Sequence, residues 1–174
     1  QTTYTLEAAE GNARAEVMER PAYWRQDEKV GKSLGVFTHG VSAKEMTDLL
    51  YVQGYAKVDG QTYYSELIAY SPVTYAERKL GFVDGVAGTE SETLKDLLVA
   101  MLNYGAAAQK QFDYHTDFLA TDVLGTAGLT YTAVDGGWSV GKGTATAGDV
   151  VIPKYHLGKK VVGIGYKAFY NCTK

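Results

Sequence analysis

The sharpest alternation of apolar and polar positions lies between Leu49 and Tyr70, where two β-rich runs flank Asp59-Gly60. Asp-Gly between such runs predicts a type I′ hairpin turn, because both central residues need positive φ. Pairing Val58 with Gln61 puts Leu50/Ala69, Val52/Leu67, Gly54/Ser65 and Ala56/Tyr63 on one face, apolar and small at its middle, which is expected to face the core. The other face carries Leu49/Tyr70, Tyr51/Ile68, Gln53/Glu66, Tyr55/Tyr64 and Lys57/Thr62 and is rich in tyrosine.

The period then changes from two to three and four. Ser71 as N-cap and Pro72 at the first helical position open a helix to about Leu80, with Gly81 as its stop. A Gly-rich connector leads to Thr89 or Ser91, either of which can cap a helix of about twenty residues. Its apolar positions, Leu94, Leu97/Leu98, Met101, Gly105, Ala108 and Phe112, step as a buried stripe must. A glycine in mid-helix costs about 1 kcal/mol against alanine, so Gly105 predicts close backbone contact. Ser42-x-x-Glu45 reads as a capping box over a single turn, and Asp117 as the cap of a short turn ending near Leu124. Leu6, Ala9, Ala13 and Val17 have helical spacing that Pro21 would end, although the first thirty residues read equally as the ragged start of a larger domain.

Beyond Gly125 the helical period disappears into Gly, Thr, Ala and Val, so a boundary is expected near 125–128, dividing residues 1–125 from 126–174. "LTYTAVDGGWSV" predicts a second hairpin about Asp135-Gly136-Gly137, and "DVVIP" and "KKVVGI" further short strands. The fold class expected is α+β, an antiparallel hairpin sheet packed by the long helix and followed by an all-β segment.

Composition narrows the function classes. With 45% hydrophobic and 21% charged residues in 174, the chain is of ordinary globular type. A net charge of −3 argues against a nucleic-acid footprint. No apolar run approaches the roughly 18 residues of a membrane helix. Gln1 is not an initiator methionine, so the chain reads as a mature or trimmed piece. The single Cys172 excludes an internal disulfide framework and a multi-thiolate metal site. Tyrosine is the outlier, 14 against 5 Phe and 2 Trp. Its ring packs while its hydroxyl stays wet, which suits an interaction surface.

Each chemical motif meets a competing structural reading. Gly163-Ile164-Gly165-Tyr166-Lys167-Ala168 fits G-x-G-x-x-A, but the required helix and the later acidic residue have no room. Gly136 to Lys142 nearly spells a P-loop, yet the Mg²⁺-binding hydroxyl falls one place late, at Thr144. Asp113-x-His115-x-Asp117 starts like a calcium loop, but Phe118 and Leu124 occupy its Gly and Glu positions. His39, His115 and His156 are scattered, and Asp27/Glu28 and Glu90/Glu92 sit in charged contexts without an apolar flank. No catalytic residue, cofactor or metal is assigned. The remaining candidate is the tyrosine face, where Tyr51, Tyr55, Tyr64 and Tyr70 with Gln53 and Glu66 could form a platform that stacks on sugar rings. The competing reading is that this face is covered or simply makes cross-strand pairs.

The closing stretch "DVVIPKYHLGKKVVGIGYKAFYNCTK" resembles the BspA-like leucine-rich repeats of bacterial surface proteins. Their unit runs I-P, a spacer, then V-x-x-I-G-x-x-A-F-x-x-C, here Ile152-Pro153, Val161, Ile164, Gly165, Ala168, Phe169 and Cys172. The preceding "YTAVDGGWSVGKGTATAGDVVIP" resembles the capping hairpin that introduces such arrays. "GVSAKEMTD", "YAKVDGQTYYSELIAYS" and "LLVAMLNYGAAAQ" resemble a domain of unassigned activity that recurs in large surface proteins of anaerobic bacteria. The resemblance implies an all-β cap and the start of a repeat solenoid over about residues 129–174, in an exported, multi-domain protein; since a solenoid needs about three repeats for stability, either the chain continues past Lys174, the favoured expectation, or this one repeat is docked on the preceding domain. It implies a non-enzymatic cell-surface adhesion module with a host or neighbouring-cell surface protein or glycan as partner, and no nucleic acid or membrane insertion. Two other readings stay open, a carbohydrate-binding accessory module and a fragment of a secreted hydrolase.

Overall fold

The computed structural model describes residues 24–27, 31–34, 40–83 and 90–170, the first two stretches as backbone alone. The helix expected near Leu6–Val17, His39, Thr89 and Cys172 lie outside the described residues. The chain forms two compact units, residues 1–40 with 51–68 and residues 41–50 with 69–174. Residues on both sides of 125–128 thus belong to the second unit. The class is mixed α+β with antiparallel sheets.

Strands β1 (Trp24–Asp27) and β2 (Gly31–Leu34) pair antiparallel, Trp24 opposite Leu34. The next four are β3 (Leu50–Val52), β4 (Tyr55–Val58), β5 (Gln61–Tyr64) and β6 (Ile68–Tyr70). β4 and β5 form the expected hairpin, with Val58 opposite Gln61 and positive φ at Asp59 (49°) and Gly60 (79°). Their ladder stops at Gly54 and Ser65, where the Ser65 hydroxyl accepts the Gly54 N–H at 2.9 Å in place of a strand carbonyl. β3 and β6 pair separately beyond that break. Toward the turn the face expected against the core is exposed instead, Val58 and Tyr63 each keeping 53% of their surface in water, while Leu50, Val52 and Leu67 at its other end are half-buried. Ala56 and Val58 offer too little apolar area to hold a layer there.

In the second unit, helix α1 (Pro72–Lys79) begins as its sequence dictates. The Ser71 hydroxyl accepts the Thr74 N–H at 3.1 Å, and the Thr74 hydroxyl accepts the Ser71 N–H at 2.9 Å. It ends with Gly81 in the left-handed region at φ 79°. Lys79 donates to Glu90, and that bond, then the charge beside it, raises the ammonium pKa above its ordinary value. Helix α2 (Glu92–Gln111) is capped by Ser91, whose hydroxyl accepts the Leu94 N–H at 3.3 Å. Its buried arc is Leu98, Leu102, Gly105, Ala106 and Gln109, so the stripe is turned by one position from the expected one. Leu97 and Phe112, placed in the stripe by spacing alone, are 63% and 67% exposed.

The buried side of α2, expected against the hairpin, is occupied by α1 and by two 3-10 turns, Ala43–Glu45 and Ala120–Val123. Met46, Val73, Ala76, Leu80, Leu98 and Leu102 close this core. Ser42 precedes the first turn, but its side chain makes no cap bond; only its carbonyl accepts the Glu45 N–H at 2.9 Å. The second turn is capped not by Asp117 but by Leu119, whose N–H donates to the Asp122 carboxylate at 3.0 Å. Gln109, fully buried, ties this segment to α2: its amide nitrogen donates to the Phe118 carbonyl at 2.8 Å and to Thr47 Oγ1 at 3.2 Å, and its oxygen accepts the Ala120 N–H at 2.8 Å.

The last four strands, β7 (Thr130–Val134), β8 (Gly137–Gly141), β9 (Tyr155–His156) and β10 (Lys159–Ile164), make one sheet in the order β7-β8-β10-β9. β7–β8 is the predicted hairpin. β8 and β10 run parallel, Trp138 opposite Val161 and Val140 opposite Ile164. Residues 149–153, expected as a strand, are irregular: Val151 exchanges bonds with Thr126 backbone and hydroxyl at 2.9 and 2.8 Å, and the buried Pro153 has no N–H to give a ladder. A small second core of Leu129, Tyr131, Val140 and Ala145 lies under this sheet, with Trp138, Val161 and Phe169 packed on it.

Gly105 meets its expectation of close contact. A Cβ there would stand 2.6 Å from Met46 Sδ, 3.1 Å from Ala120 Cβ and 3.3 Å from the Ala43 carbonyl. Gly105→Ala gains about 1 kcal/mol of helix propensity but forces two turns off the helix, at about 1–3 kcal/mol. Urea unfolding should show a net loss of about 1 kcal/mol, and a stabilised variant would mean that the turns yield freely.

Candidate functional site

The hairpin register sets Tyr55 directly opposite Tyr64, so their side chains share one face. Tyr64 is 45% exposed and Tyr55 half-buried, and Lys57 Nζ lies 5.8 Å from the Tyr55 ring centroid. Gln53 does not project as a hydrogen-bonding arm; its amide donates to the Ser65 carbonyl at 3.1 Å. Glu66 and Tyr51 are exposed. Tyr70 belongs to the second unit, where its ring meets Tyr75 at 6.4 Å and 59°. Of the six proposed residues, the structure therefore brings two rings, Tyr55 and Tyr64, side by side. Paired rings with a nearby ammonium suit stacking on a ring of a sugar.

The other motifs resolve into structure. Gly165 donates its N–H to the Val140 carbonyl at 2.8 Å and accepts from Ala168 at 3.0 Å, so the G-x-G-x-x-A residues form a strand end and a turn. The P-loop-like run is strand β8 with its turn. Asp113 and His115 stand at φ 48° and 46° in the turn after α2, and the Tyr114 hydroxyl donates to Asp48 at 2.6 Å. Among the described residues no three His, Cys, Asp or Glu side chains gather as metal ligands, and no helix is long and apolar enough to cross a membrane.

A buried polar cluster about Glu77 was not singled out from the sequence, and in it Glu77 Oε2 and His156 Nδ1 make no hydrogen bond. Glu77 on α1 is fully buried, and its Oε1 accepts the Leu157 N–H at 3.0 Å and lies 3.5 Å from His156 Nδ1. His156, 3% exposed, is stacked on Tyr131 with centroids 3.6 Å apart and planes at 8°, and meets the Trp138 ring edge-on at 5.3 Å. Leu157 takes φ 46° and Gly158 φ 76°, so a bulky residue fills the first left-handed place of the β9–β10 turn. That position costs a leucine about 1–2 kcal/mol, and Glu77 holds it by taking the amide. A signal was there to read: Val73, Ala76, Glu77 and Leu80 step three and four, which places the glutamate on the apolar face of α1.

No protein-family model matches the chain, and no curated protein or solved structure is significantly similar to it.

Glu77→Ala should destabilise the chain by about 2 kcal/mol, because it orphans the Leu157 amide and leaves a cavity beside the buried His156. Glu77→Gln keeps an acceptor for the amide and should lose roughly half as much. Urea midpoints of the three proteins check this, and equal stability of all three would remove the clip from the account.

Proposed function

We propose that the chain is a non-enzymatic interaction module of a bacterial surface protein, in which about residues 129–170 act as the cap and first coil of a BspA-like repeat array. The single observation that carries this reading is the parallel pairing of β8 with β10. A solenoid grows by laying the strand of each coil parallel to that of the coil before it, and parallel pairs require a crossover such as residues 142–158. Phe169 packs on the second core beside Val140 and Tyr131, as the aromatic of a repeat turn should. Val162 and Ile164 are 51% and 60% exposed, and β9 pairs with β10 only at Lys159 and Lys160. The outer edge of β10 is thus the side on which another coil would stack. Export, adhesion and a host or neighbouring-cell partner follow from the family resemblance.

The test is to append two or three consensus repeats after Lys174. If β10 is a first coil, the extended chain melts in one transition at a higher temperature than the original. Separate transitions, with the original one unmoved, would refute the reading.

A second reading, a carbohydrate-binding accessory module, draws on the Tyr55–Tyr64 pair. Glycan-array binding by the wild type should then fall at least about tenfold in Tyr55→Ala and Tyr64→Ala. Absence of any bound glycan would end it.

A further inference from the structure

Helix α2 carries a second apolar stripe opposite the arc it buries. Leu97, Ala100, Tyr104 and Ala107 are all exposed, Leu97 and Tyr104 by 63% and 66%. They step three and four along one side of the helix, so they form one continuous strip rather than scattered surface residues. The strip is large at Leu97 and Tyr104 and small at Ala100 and Ala107, which lets another helix approach closely between the two large side chains.

The flank of this strip identifies the occupant. Asp96, Asn103 and Lys110 are exposed and spaced by seven residues, so they line up along one edge. Turned end for end, that edge complements itself: Asp96 faces Lys110 of a second copy, Asn103 faces Asn103, and Lys110 faces Asp96. The same reversal is centred at Asn103, which sets Tyr104 one residue from the two-fold axis and Ala100 within one residue of the level of Ala107. A parallel two-fold would instead turn this edge toward the partner's opposite edge, Leu94, Met101 and Ala108, and leave its charges without opposite charges. Antiparallel pairing also sets the two helix dipoles favourably. A charged edge that maps onto itself under one two-fold rotation, with the apolar strip centred within one residue of the same axis, is what an isologous dimer requires.

We infer that α2 is a self-association surface, binding a second copy of this chain through an antiparallel α2–α2 contact centred at Asn103, with Tyr104 beside the axis. One helix pair buries less than the roughly 1,200 Å² of a stable interface, so the dimer is weak, with a dissociation constant in the tens of micromolar or above. This reading does not rest on the repeat array.

Sedimentation equilibrium of the 174-residue chain from micromolar to several hundred micromolar, at low salt, tests it. The wild type should pass from monomer to dimer across this range, and Tyr104→Lys should stay monomeric with unchanged far-ultraviolet circular dichroism. Asp96→Lys and Lys110→Asp should each weaken dimerisation about tenfold by opposing like charges across both symmetric pairs. The double exchange, Asp96→Lys with Lys110→Asp, should restore it. A wild type that stays monomeric throughout overturns the inference. So does a dimer that Tyr104→Lys leaves intact, or charge variants that the double exchange fails to rescue.

Discussion

A carboxylate withdrawn from water on an otherwise apolar helix face is the constraint around which the second unit is arranged. Burying a carboxyl group is costly unless donors meet it, and Glu77 Oε1 takes one, the Leu157 amide, with His156 Nδ1 3.5 Å away and neither that nitrogen nor Glu77 Oε2 hydrogen-bonded. Both neighbours come from the β9–β10 turn, far along the chain. The glutamate therefore dictates where that turn lies on α1, and the turn in its left-handed form dictates the path of β10. Only with β10 so placed can it run beside β8.

The seam between the two cores follows from the same turn. Tyr155 and His156 are neighbours on a two-residue strand, so their side chains point to opposite sides. Tyr155 enters the helical core, stacked on Phe118 at 4.0 Å with its hydroxyl donating to the Asp117 carbonyl at 3.2 Å. His156 goes to the sheet side and stacks on Tyr131. One short strand thus stitches a helical layer to a β layer, with Glu77 fastening it from below. Gln109 does a similar service at the far end of α2, where a single satisfied amide holds a turn that contains two left-handed residues.

The β10 edge and the outer strip of α2 present apolar groups to water on the second unit. An array grown from the β10 edge and the helix pair proposed at α2 would use separate surfaces. Such weak pairing would gain strength where copies are tethered close together, because tethering raises the effective concentration.

Much of the fold was legible residue by residue. Asp59-Gly60, Ser71-Pro72, Gly81, Ser91 and the hairpin at Asp135-Gly136 act through their immediate neighbours, by turn geometry and capping, so they can be read without knowing the rest of the chain. The tight contact at Gly105 was equally readable, since a helix keeps a glycine only where something sits against it. What escaped depended on remote partners. Spacing could not tell Leu97 from Leu98, because the choice of buried face belongs to the turns at Ala43 and Ala120. It put Ala56 and Val58 toward a core that lies elsewhere, and although the α1 spacing set Glu77 on the apolar face, it could not name the Leu157 amide some eighty residues away that meets it. The sequence by itself determined where elements begin, turn and stop, for those are short-range balances of capping, φ and period. The tertiary structure alone decided which faces are buried and which charges are paired, because burial is a property of what arrives from far along the chain.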